Sequence, residues 1–166
     1  MRSPNISKIS QAGVTLVETL VAAVLLAGFF ASIFQLNAVC LRYINASKES
    51  VAALEAIYDR TEVLRNIAFK DLSDSSYVQT LLATPANTSD FCKKATEVVK
   101  IRAYPTANGI TQFTRSSNGS VSLDSTATSL GSTLVQIDVA TSWTMTLGGR
   151  NRSEQSTTIV SNGSKK

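Results

Sequence analysis

Histidine is absent from the 166 residues. That removes the usual general base, the imidazole member of nucleophilic triads and the commonest nitrogen ligand of zinc. Proline is almost as scarce: none stands between Pro4 and Pro85, so no ring breaks a helix in that interval. Charge is missing over the 23 residues from Thr19 to Leu41. Cysteine is limited to Cys40, at the end of that run, and Cys92, far beyond it. An extracytoplasmic setting would permit a bridge. A disulfide needs Cα atoms within ~7 Å, however, and two small apolar thiols are the expectation. No nucleophile motif, phosphate loop or justified pair of carboxylates is present, so no enzyme is expected. Asp124 and Asp138 are scattered aspartates rather than an oxygen-ligand set. Neither metal nor cofactor is assigned.

The uncharged run has an edge. At ~1.5 Å per residue it would span roughly 35 Å as a helix, enough to cross a bilayer, and Glu18 stands alone where it begins. A carboxylate in such a place costs on the order of 2.5–3.5 kcal/mol on insertion scales, so a cationic partner is expected. Arg2 and Lys8 are the charged residues ahead of it, and both are basic. They hold that end in the cytoplasm and put everything after Leu41 outside the membrane. A secretory signal peptide fits poorly, because no small-x-small cleavage site follows the run before Arg42. An ordinary signal anchor with an incidental Glu remains the plain alternative.

The hexapeptide Gly13-Val14-Thr15-Leu16-Val17-Glu18, with a short basic stretch before it and an apolar run after it, resembles the processing site of type IV prepilins and type II secretion pseudopilins. The resemblance covers about Ala12 to Leu41. It implies that residues 1–13 are a leader which a prepilin peptidase removes after Gly13, with N-methylation of the new terminus at Val14. It also implies that Glu18 docks on the terminal amine of a neighbouring pilin or pseudopilin. Where the family usually has Phe or Met, this chain has Val14. Within one helix Val14 lies a single turn from Glu18, so an internal pair is open as well. Loss of Arg2 and Lys8 with the leader takes the basic count from 16 to 14 against 12 acids. A net charge of +2 is too weak to argue for nucleic acid as a partner.

Residues 14–41 then form a transmembrane and assembly helix, and residues 42–72 an amphipathic continuation. Between Val14 and Phe69 only Gly28 interrupts good helix-forming sequence, and Gly28 is read as a soft point where the helix can loosen. Ile44, Val51, Leu54, Ile57, Tyr58, Leu64 and Ile67 recur at three- and four-residue spacing, a stripe expected to face the rest of the chain. Residues 73–166 read as an extracytoplasmic α+β domain. Asp74 caps a helix over 75–83. Strands are expected over 97–104 and 110–115. In the strand 134–147, Val135, Ile137, Val139, Trp143, Met145 and Leu147 share one face. Gly148-Gly149 turns the chain into a last strand over 154–161. Between them, Thr114 to Thr133 holds eleven Ser or Thr and is expected as a surface loop or weakly paired hairpin.

The fold class is therefore α+β and pilin-like, a long amino-terminal helix packed on a small antiparallel sheet. The expected function is a structural subunit, a minor pilin or pseudopilin, single-pass in the inner membrane and then part of a type IV pilus or type II secretion pseudopilus. The alternative is a binding module on a pilin-type anchor, a tip adhesin or DNA-uptake minor pilin. DNA uptake would need more than the modest cluster of Lys93, Lys94, Lys100 and Arg102, which Glu97 dilutes.

Overall fold

A computed structural model describes residues 15–163. Helix α1 runs Leu16–Asn66, followed by α2 (Phe69–Leu72), α3 (Ser75–Ala83), α4 (Asp90–Lys94), β1 (Thr96–Ala103), β2 (Thr111–Arg115), β3 (Val121–Ser125), β4 (Leu134–Thr144) and β5 (Asn151–Ser161). The chain divides into two units at Leu41 and Arg42. The first, described from residue 15, is helix alone. The second carries the rest of α1, the short helices and the sheet.

The sheet has the order β3-β2-β1-β4-β5 with every pair antiparallel. Along β1 and β4 buried and half-buried residues alternate, as a strand with one covered face requires. Val99, Ile101, Phe113, Val135, Ile137 and Val139 form the covered face and pack with Ile57 and Leu64 of α1 and with Val78 and Leu82 of α3. Trp143, Ala95 and Ala53 make a second cluster, with Phe91 and Met145 against it. A long helix on a small antiparallel sheet is thus the architecture of the second unit.

Several expectations hold at the level of single elements. Asp74 caps α3, its carboxylate accepting the Ser76 and Tyr77 N–H groups. Gly148 and Gly149 adopt positive φ, 77° and 61°, in the β4–β5 turn, a conformation that favours glycine. The Ser/Thr-rich stretch is a hairpin: β3 pairs with β2 and leaves most of its side chains in solvent.

Two expectations are corrected. The helix does not continue to Phe69 or through residue 72; it ends at Asn66, and Ala68 is extended (φ −66°, ψ 145°) ahead of α2. No Gly or Pro forces the break. Ile67, Phe69 and Leu72 all pack on the core, and three residues at that spacing cannot share one face of an unbroken helix. The second correction concerns the apolar stripe. Ile57 and Leu64 are buried, but Ile44, Val51, Leu54 and Tyr58 are 50%, 56%, 45% and 72% exposed. The sheet-facing side of α1 is made of Ala46, Ala53, Ala56, Ile57, Arg60 and Leu64. Three alanines share that side with Ile57, Arg60 and Leu64, while Ile44, Val51, Leu54 and Tyr58 point away.

Candidate functional site

Glu18 sits in the first turn of α1. The Thr15 hydroxyl accepts the Glu18 N–H at 3.3 Å, and the Thr19 hydroxyl donates to the Leu16 carbonyl at 2.8 Å. Thr15 thereby satisfies one of the donors that every helix start leaves open. Thr-x-x-Glu is a capping-box spacing that hydropathy alone passes over, and it was available in the sequence. Among the described residues the Glu18 carboxylate has no hydrogen bond or ion pair. It lies at the positive end of the helix dipole. Gly13 and Val14, the cleavage and methylation positions, lie outside the described residues.

Every residue from Thr15 to Leu41 is exposed. Among the described residues α1 is the one helix long and apolar enough to cross a membrane. Gly28 lies within it; a Cβ there would meet nothing within 4 Å. The Ser32 hydroxyl donates to the Gly28 carbonyl at 2.9 Å, a back-bond of the kind that bends helices slightly. Cys40 is exposed and Cys92 buried, and both are free thiols.

In the second unit the helix is held to the sheet by a buried ion pair. Arg60 is 2% and Glu97 7% exposed. The Arg60 Nε donates to Glu97 Oε1 at 2.6 Å and Nη2 to Oε2 at 3.1 Å, the two-pronged geometry that suits a guanidinium. The same Arg donates to the carbonyls of Leu81 (3.4 Å) and Thr84 (2.7 Å) at the carboxyl end of α3. Arg115, 4% exposed, stands opposite Glu97 in the β1–β2 register and donates to the Cys92 carbonyl at 3.0 Å, while its Nε has no partner. Glu49 adds an outer clasp: its carboxylate accepts the backbone N–H of Thr146 at 3.2 Å and also the Thr146 hydroxyl.

Two of the four clustered basic residues, Lys93 and Arg102, are already paired. Lys93 is paired with Asp90 at 2.9 Å, and that ammonium, by hydrogen bond and charge, holds the Asp90 carboxyl below its ordinary range. Arg102 pairs with Asp138 at 3.3 Å on the outer face of the sheet. Asp124 accepts from Gln112, Thr114 and Ser122. Those bonds, Thr114's foremost, lower its pKa. No group of three His, Cys, Asp or Glu among the described residues could hold a metal ion. No family model, curated protein or solved structure matches this chain.

Proposed function

We infer that the chain is a structural subunit of a pilus- or pseudopilus-type filament, made as a single-pass inner-membrane protein and assembled after its leader is removed. One observation carries this reading. Glu18 opens a long uncharged helix without a partner among the described residues, at the spacing from Gly13 that the prepilin motif prescribes. In lipid both a carboxylate and a free amine are costly, and each is the other's remedy. Cleavage after Gly13 would create the amine at Val14, and a neighbour's terminus would meet Glu18 as the helix leaves the membrane. The exposed 15–41 segment would be the part that bilayer and then filament core enclose. The sheet domain, joined to the helix through Arg60, would form the outer shell. Pairing of Lys93 and Arg102 with Asp90 and Asp138 leaves little support for a DNA-binding tip subunit.

Processing is the direct test. Mass spectrometry of the membrane-extracted chain should find it beginning at a methylated Val14, and Gly13→Leu should leave a full-length band. A wild-type chain still carrying Met1 in its working state, or normal processing of the Gly13 variant, refutes the assignment.

A further inference from the structure

We propose that the outer edge of β5 takes up an extended segment of another protein. The segment adds to the sheet as a further strand and places one side chain in the cleft between β5 and the end of α1. The proposal needs only the fold of the second unit and does not rest on the filament reading.

Strand β5 is eleven residues long and lies at one end of the sheet. It pairs with β4 from Leu134↔Ser161 to Thr144↔Asn151 without a shift. In an antiparallel ladder every second residue turns its N–H and C=O away from the partner strand. Among the described residues no backbone hydrogen bond meets that second row over residues 151–160. Such an edge is a template for pairing, and proteins usually blunt it with shortness, bulges, charge or a cover. The opposite edge has these devices. Strand β3 has five residues, and its register with β2 slips between Gln112 and Phe113. It carries Asp124, and the Gln79 amide donates to its Val121 carbonyl at 3.0 Å. Residues 155–161 of β5 have no charge and no proline, only Gln, Ser, Thr, Ile and Val.

Two further features say what fits. The inward side chains Glu154, Ser156, Thr158 and Val160 are half-buried, where those of β4 beside them are buried. The covered side of the sheet therefore stops short at β5. At the end of the strand a cleft of about 280 Å³ is lined by Ile159, Val160 and Asn162 and, from the end of α1 and beyond, by Arg65, Ile67 and Phe69. That volume suits one side chain rather than a whole small ligand. A row of N–H and C=O groups at strand spacing is complementary to another extended backbone, and a cleft beside it supplies selectivity. A second copy is a poor occupant. Full antiparallel overlap of β5 with its own copy sets Arg152 opposite Val160 and Glu154 opposite Thr158, so neither charge meets its opposite across the new ladder. The register centred on Ser153 does pair Arg152 with Glu154, but it leaves residues 156–161 without a strand beside them. The β3 edge of a copy is guarded.

The probe is a fluorescent peptide copying residues 134–142, a sequence that already pairs antiparallel with β5 on its other side. It is titrated against the full chain in detergent, with amide hydrogen exchange read along the strands. Alternate amides within residues 151–160 should exchange about tenfold more slowly with peptide, while those of β3 do not change. Two peptides N-methylated on alternate residues sort the bonding. The one whose methyl groups face β5 should lose binding, and the complementary one should keep it. No protection at the solubility limit of the peptide, or equal binding by both methylated peptides, overturns the proposal. So does protection of alternate β5 amides before peptide is added, in a chain that sediments as a dimer, because a second copy then holds the edge. Arg65→Trp, which fills the cleft from an exposed position, should weaken binding about tenfold. Undiminished binding would remove the cleft and overturn the site as stated. In the cell that makes the chain, a photo-reactive benzoylphenylalanine in place of Ile159 identifies the owner of the strand. The expected adduct maps to an extended stretch of a second protein. An adduct of this chain with itself, or none, overturns the proposal.

Discussion

Glu97 is bonded to the buried Arg60 and stands opposite a second buried arginine, Arg115, in the β1–β2 register, without an ion pair to it. Removing one partner of a buried pair commonly costs ~3–5 kcal/mol, because the other charge is left without compensation. The two partners are not equivalent here. Glu97→Gln leaves the buried Arg60 without its counter-charge and should lose roughly that full amount. Arg60→Met leaves Glu97 with Arg115 still opposite it and should lose less. Urea unfolding of the full chain in detergent, followed by the fluorescence of Trp143, the only tryptophan, would rank the two. The reverse order would mean that Arg115 does not compensate. Asp124 offers a second test, with a pH signature. Hydrogen bonds from Thr114, Ser122 and Gln112 lower its pKa from the ordinary 3.8. A depressed carboxylate adds stability that is fully present above the unfolded value and disappears as pH falls through the folded one. Asp124→Asn should therefore differ most from the parent above about pH 4 and converge with it in more acid solution. A difference independent of pH would show that the network does not depend on the ionised form.

Helix α1 carries two unlike faces beyond the membrane, and they should answer mutation differently. Ala53 is fully buried and packs with Ala95 and Trp143. Leucine there has no room and should cost about 1–3 kcal/mol by overpacking. Val51, only two residues earlier, is more than half exposed. Val51→Ala should change unfolding by less than about 0.5 kcal/mol, as surface changes usually do. The same Trp143-monitored unfolding measures both. Equal destabilisation by the two would mean that the outward stripe is packed within the chain after all. This division was not legible in the sequence. Periodicity identifies a stripe by hydrophobicity, and on that scale Ile44, Val51, Leu54 and Tyr58 outrank the alanines. The choice of face follows from Ala53, which packs with Ala95 and Trp143, and from Arg60, whose partner Glu97 is 37 residues away. The end of α1 was hidden for a similar reason, since Ile67, Phe69 and Leu72 are turned inward by the core rather than by any local breaker.

At the scale of the whole chain, local chemistry was readable and long-range pairing was not. The cap at Asp74, the Gly148-Gly149 turn and the alternation of Val135, Ile137 and Val139 each carry their own signal, and each element is where those residues imply. The placing of β1 between β2 and β4 carries none, because register across thirty or more residues depends on which faces meet. Strand β3 was ambiguous because its residues are mostly Ser, Asp and Leu in solvent, held by pairing to β2 rather than by burial. Glu18 is the opposite case: a local anomaly visible at once, whose proposed role needs a second molecule. If the lone carboxylate finds a neighbour's terminal amine during assembly, the pair offsets a cost of ~2.5–3.5 kcal/mol. At 1.4 kcal/mol per decade that is about a hundredfold in incorporation. Glu18→Ala should then be processed like the parent and remain in the membrane fraction, yet fall by about that factor in sheared fibres. Alanine removes the carboxylate without adding bulk and leaves the Thr15 cap on the residue-18 N–H in place. A loss of helix would therefore not explain the result. Equal recovery of parent and variant from fibres would show that the carboxylate does not dock.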